Sequence, residues 1–291
     1  MDSHAEQARV NFAQAVRSPD AEINLFSACM YIAAEEYPGL DIPSYVAKID
    51  ALAALARHRL TEEATDYDRL EAVREVVFEI AGLRGNSGNF YDPRNSYLND
   101  VIDRGLGIPI TLSVIYREVA ARVGLTMRGI GMPGHFLLAT GSGGSEIFVD
   151  PYHRGGLLSR RECLALAMRG RTNSGSESTA LARHLLPVSG NRSTLRRLLT
   201  NLKLTHAKKR DYKRSLAAAE RIQLLDPHNW RNLSDLARLQ AEVGDFVRAV
   251  ESLSAYLDRA PEGANTRRAQ DALTQLRELA RKQDPIEPNI P

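Results

Sequence analysis

The chain has 291 residues, 43% hydrophobic and 25% charged, enough for one large domain or two of average size, and nothing in that composition calls for a fibre. No apolar run approaches the roughly 20 residues of a membrane span, and the start Met-Asp-Ser-His-Ala-Glu-Gln lacks the basic and apolar regions of a signal peptide. No membrane association is expected, and a cytoplasmic address is. The net charge of +2 hides a segregation: residues 1–153 carry 13 Lys/Arg against 21 Asp/Glu, residues 154–214 carry 15 against 3, and residues 215–291 carry 10 against 12.

The first helical pattern starts at Asp20, with Ile23, Phe26, Met30 and Ala33 recurring every three or four residues before Tyr37-Pro38-Gly39. A second helix fits 43–60, where Tyr45, Ile49, Leu52, Ala56 and Leu60 share a side and Pro43 sits in a first turn. A third runs from Asp68, with Glu71 completing a capping box, through Val73, Val76, Val77, Ile80 and Leu83. Residues 85–97 are too rich in Gly, Asn and Pro for regular structure, yet hold three aromatics, as packed loops that line sites do. A short helix at 96–103 is broken by Gly105-Leu106-Gly107. The next has Pro109 in its first turn, Leu112, Ile115, Tyr116, Val119, Ala120 and Val123 on its apolar side, and Gly124 at its end.

Strands are expected at 126–130, 136–139 and 146–149, the last two forming a hairpin about the turn Gly141-Ser142-Gly143-Gly144. Symmetric pairing about that turn sets 136 against 149 and 137 against 148, so that His135 falls across from Asp150. Directly opposed Cβ atoms lie about 4.5–5.5 Å apart, close enough for a carboxylate to orient an imidazole. A His held by an Asp is two parts of a nucleophile–base–orienter triad. His135, Asp150 and His153 also read as a weak set of metal ligands. No helical pair of histidines supports it, so neither a metal nor another cofactor is expected. Cys29 and Cys163 stand alone and far apart, which implies neither a disulfide framework nor a Cys-x-x-Cys site.

Helix resumes at 159–168, and the polar, glycine- and serine-rich stretch 169–179 is the natural linker. Beyond it Asp211-Tyr212 recurs as Asp245-Phe246 and Pro227 as Pro261, each 34 residues on, the tetratricopeptide period. Helix pairs at 196–226 and 230–260 with a polar capping helix at 264–282 follow. Leu202, Leu216, Leu236 and Ala249 belong in their core and Trp230 is expected to be largely buried. The cations Arg192, Arg196, Arg197, Lys203, Lys208, Lys209, Arg210, Lys213 and Arg214 make the middle basic. Aromatic residues for stacking bases are almost absent there, so a solvated or internally docked face is expected and nucleic-acid binding is not.

The blocks Arg84-Gly85-Asn86, Tyr91-Asp92-Pro93-Arg94-Asn95-Ser96-Tyr97-Leu98, Gly107-Ile108-Pro109-Ile110-Thr111-Leu112, Pro133-Gly134-His135-Phe136-Leu137 and Asp150-Pro151 resemble, in order, the bacterial SirB family of transglutaminase-like proteins with C-terminal tetratricopeptide repeats. The resemblance implies an α+β class: a mostly helical, papain-like transglutaminase-like domain at 1–170 with a small antiparallel sheet, a linker at 171–180, and an all-α repeat region at 181–291. The wider superfamily places a cysteine at the start of a helix and a His and an Asp on the strands that follow. Laid over Gly107 and Gly124, that pattern puts Pro109 at the nucleophile position, while His135 and Asp150 match the other two. Proline cannot attack a carbonyl, so thioester chemistry is not expected. Thr111 and Ser113 are the nearest hydroxyls, and Thr111 is more simply a helix-start residue bonded to its own backbone.

Two function classes follow from this reading. The favoured one is a non-catalytic module that binds a protein or peptide partner through its repeats, with Asn95, Tyr97 and Pro109 as candidate binding residues beside His135 and Asp150. The alternative is a hydrolase or amidase in which His135 and Asp150 activate water or Thr111.

Overall fold

The computed structural model describes residues 3–132, 134–142, 145–168, 186–261 and 266–283. The chain forms two compact units, Met1–Leu198 and Leu199–Pro291, divided within the helix Asn191–Lys208. The linker expected at 171–180 lies outside the described residues.

The first unit begins with a helix that the sequence pattern did not reveal, α1 (Ser3–Ala15); it buries only Ala8 and Phe12, too few apolar positions to write a stripe. The expected start at Asp20 is a single 3₁₀ turn, Asp20–Glu22. Helix α2 (Leu25–Glu36) opens instead at Asn24, whose side chain accepts the Ser27 N–H at 2.9 Å. Helix α3 (Ile42–Arg57) is capped by Asp41 with Pro43 in its first turn. Helix α4 (Asp66–Arg74) is capped by Thr65, three residues before the expected cap, because Thr65 and Asp68 form the reciprocal box assigned to Asp68 and Glu71. It runs into a π-helical turn, Glu75–Ile80, which rotates the apolar stripe: Val76, Val77 and Phe78 are buried and Ile80, expected inside, is 49% exposed.

Two two-residue strands, too short to show alternation, pair in parallel: β1 (Arg84–Gly85) with β2 (Leu106–Gly107), on either side of α5 (Leu98–Arg104). Helix α6 (Pro109–Arg122) follows directly and is buried along most of its length. Its Tyr116 stacks on Phe78 at 5.6 Å between ring centres and donates its hydroxyl to the Leu70 carbonyl at 2.9 Å, which satisfies the one polar group of a fully buried ring.

The sheet is antiparallel throughout. It comprises β3 (Arg128–Met132), β4 (His135–Thr140), β5 (Ile147–Asp150), β6 (Gly156–Leu158) and β7 (Val188–Ser189), ordered β6-β5-β4-β3-β7. Helix α7 (Arg160–Met168) buries Cys163 and Ala167 against Ile130, Leu137 and Phe148 of the sheet. The hairpin register differs from the expected one. Leu138 pairs with Val149 and Thr140 with Ile147, so the connection spans six residues instead of four and Asp150 stands level with Leu137, not with His135. A shift of two preserves the side of the sheet, so His135 and Asp150 still share a face.

The second unit is all-α. Helix α8 (Asn191–Lys208), whose last turns it contains, and α9 (Tyr212–Leu225), α10 (Trp230–Glu242), α11 (Phe246–Arg259) and α12 (Arg267–Gln283) fall where the 34-residue repeat placed two helix pairs and a capping helix. Asp211, Asn229 and Asp245 each cap the helix that follows them. Leu202, Leu216, Leu236 and Ala249 are buried as expected. Trp230 is only half-buried: as the first residue of α10 it packs one side at 5.8 Å from the Tyr256 ring while the Arg231 guanidinium lies over it at 4.7 Å.

Candidate active site

Asp150 ends β5 and turns its side chain back on the chain that follows. Its Oδ1 accepts the backbone N–H groups of Tyr152 at 3.0 Å and His153 at 3.3 Å, capping the 3₁₀ turn Pro151–His153. That turn returns His153 to the carboxylate. The Oδ2 atom then receives two imidazoles, Nε2 of His135 at 2.7 Å and Nδ1 of His153 at 2.8 Å. A carboxylate only accepts, so both rings present an N–H to it, and Nδ1 of His135 and Nε2 of His153 are the nitrogens left outside these bonds. Asp150 is 3% exposed. Burial pushes its carboxyl up, and the hydrogen bonds and charges of His135 and then His153 outweigh that and hold it below the ordinary value.

The same three side chains place ligand atoms within 4.8 Å of one another. The two nitrogens stand 2.7 and 2.8 Å from Oδ2, shorter than the ~3.3 Å that tetrahedral zinc bonds of about 2.0–2.1 Å set between ligands. The spacing is that of hydrogen bonds.

An aromatic rim flanks the pair. The Tyr152 ring lies edge-on to His135 at 6.3 Å and to Phe90 at 6.2 Å, and Phe90 meets Tyr91 at 5.4 Å. Gly85 permits this, since a Cβ there would come within 2.5 Å of the Tyr152 ring. The loop that carries Phe90 is tied by Asn86, which donates to the Asn95 Oδ1 at 3.0 Å, and by Asn95, which donates to the carbonyls of Asn89 at 2.8 Å and Phe90 at 3.2 Å. On the other side of the hairpin Arg197 donates to the carbonyls of Met132 and His135, each at 2.7 Å, and fixes the backbone from which the imidazole projects.

The remaining candidates form a separate, buried network. Asn95 is fully buried and its amide is spent on the loop, so it supports Phe90 from beneath instead of facing a ligand. Tyr97 is buried and lies edge-to-face with Tyr37 at 5.6 Å. Pro109 is buried at the start of α6, and its carbonyl accepts the Ser113 hydroxyl at 2.7 Å. Thr111, also buried, donates to the Asn95 carbonyl at 2.8 Å and accepts the Ile108 N–H at 3.1 Å, the helix-start role. No hydrogen bond joins Asn95, Pro109 or Thr111 to His135 among the described residues.

Neither thiol is poised as a nucleophile. Cys29 and Cys163 are both buried; burial pushes both thiols up, Cys163 to about 12 with further help from Glu162 and Asp150. Much of the basic middle is likewise spent internally. Arg192 donates to the carbonyls of Val16 and Ser18, Lys203 pairs with Asp235, and Arg214 pairs with Asp211.

A short antiparallel sheet carrying a His–Asp pair, a mostly buried helix ahead of it and a helical repeat array behind it define a transglutaminase-like fold joined to tetratricopeptide repeats. Residues 43–200 match the transglutaminase-like superfamily model and residues 202–274 a tetratricopeptide repeat model, and the chain belongs to that superfamily. A protein of Xylella fastidiosa (strain Temecula1) named UPF0162 protein is 34% identical over 249 residues, covering 84% of this chain and 87% of that one. F-box only protein 21 of Mus musculus is 31% identical over 102 residues, 32% of this chain and 16% of that protein. A crystal structure of menin aligns over 87% of this chain and 69% of its own at 12% identity, with a TM-score of 0.41.

Proposed function

We propose that this is a SirB-type, cytoplasmic protein that binds a protein or peptide partner through its repeats, and that its transglutaminase-like unit performs no covalent catalysis. The observation that carries the reading is a cavity of about 540 Å³ among α10, α11 and α12, floored by Ala237, Leu253, Ala272 and Leu276. Apolar concavity on a helical array is what such arrays offer to partners. In the first unit the hydroxyls and thiols that could replace a cysteine are hydrogen-bonded or buried, in keeping with the same reading.

The test is a partner captured by the intact chain, purified, and titrated against Leu276→Glu. Leu276 is only partly buried, so the fold survives, and at least a tenfold loss of affinity is expected. Unchanged affinity overturns the reading. A second reading, hydrolysis with His135 as general base, is favoured by one observation: the Asp150 carboxylate holds the ring with Nδ1 available.

A further inference from the structure

The cavity on the repeats has a charge pattern that its apolar floor does not explain. Arg238 on α10 and Arg268 on α12 both line it, both are exposed, and neither has a carboxylate or carbonyl partner among the described residues. Elsewhere in the unit some arginines are paired: Arg214 with Asp211, and Arg248 with Glu220 and Asp245. Glu242 also lines the cavity, so its side chains carry two guanidiniums against one carboxylate, although residues 215–291 together are net acidic. The two cations line a floor where Ala237 and Leu253, both almost fully buried, meet the half-buried Ala272 and Leu276.

Resting on the reading of the repeats as a binding module, we propose that this groove takes an acidic, apolar peptide segment: leucine-like side chains on the floor, with Asp or Glu side chains received by Arg238 and Arg268. The guanidinium is suited to that role because its planar fork meets a carboxylate with two parallel hydrogen bonds. Two cations on different helices lining one floor select acidic residues beside the apolar ones.

Fluorescein-labelled peptides of equal length provide the probe, each with two leucines flanked by Glu, by Gln or by Lys, titrated against the full chain by anisotropy. The Glu peptide should bind, the Gln and Lys peptides at least tenfold more weakly. Arg238→Ala with Arg268→Ala should erase that preference with unchanged melting, since both side chains are exposed and unpaired. Added salt should weaken the Glu peptide selectively. Equal binding of all three peptides, no binding of any, or a double variant that keeps the preference overturns the proposal. So does self-association that depends on Leu276, which gives the groove to a second copy. A partner lost with Leu276→Glu but indifferent to both arginines also overturns it, and leaves the repeats standing as the binding unit.

Discussion

His135 Nε2 and Asp150 Oδ2 lie 2.7 Å apart although the two residues are offset by two positions across the hairpin. The contact is diagonal, within reach of an imidazole because Asp150 is the last residue of its strand and its carboxylate is free to turn. The same oxygen also holds His153, so one buried carboxylate gathers two rings and two backbone amides.

Removing that carboxylate orphans all four donors. Asp150→Ala should cost on the order of 3 kcal/mol in chemical denaturation. The folded carboxyl lies below its unfolded value, so its contribution is complete above the ordinary value and is lost as pH falls through the lower folded one. The stability gap between wild type and Asp150→Ala should therefore narrow as pH drops below about 4. A gap that widens there would contradict the assignment.

The two histidines should differ. The His135 side chain is 17% exposed and that of His153 70%, so His135→Ala should lower stability by roughly 1–3 kcal/mol and His153→Ala by well under 1 kcal/mol. Thermal melts of the two variants side by side decide it, and equal costs would be inconsistent with the observed burial.

Much of this fold was legible because its signals are local. The proline-started α6 and the short apolar runs of β4 and β5 each leave a mark within a few residues, and the repeat shows as the same few residue types recurring 34 positions on. What escaped depends on geometry without such a mark: the π-helical turn that exposes Ile80, the two-residue strands around α5, and the six-residue connection that shifts the hairpin register. At the site the His–Asp pair was readable from an incorrect register because a two-residue shift keeps the face. His153 read only as a weak metal ligand, since nothing in Asp150-Pro151-Tyr152-His153 announces that a 3₁₀ turn folds it onto the carboxylate. Asn95 and Thr111 looked like site residues because polar side chains that stabilise a loop and those that face a ligand are written alike.

Thiol chemistry should be silent. Native protein treated with iodoacetamide near pH 8 should leave Cys29 and Cys163 unmodified until it is unfolded, as both are buried with their thiols shifted upward. Rapid labelling of either in the folded state, read by intact mass, would show an accessible thiolate.

Gly85 should tolerate no side chain. Gly85→Ala drives a Cβ into the Tyr152 ring and should destabilise by about 1–3 kcal/mol. Adding Tyr152→Ala should relieve part of that cost in a double-mutant cycle. Additive costs would mean that the ring does not rest on Gly85.

The most direct measurement titrates a purified partner against the intact chain and three full-length variants, His135→Ala, Asp150→Ala and Leu276→Glu, under conditions where all remain folded. The expected result is affinity within about twofold of wild type for the two hairpin variants and at least a tenfold loss for Leu276→Glu. Loss of binding or turnover with His135→Ala at unchanged stability, together with wild-type affinity for Leu276→Glu, would place the function at the hairpin and contradict a protein that works through its repeats.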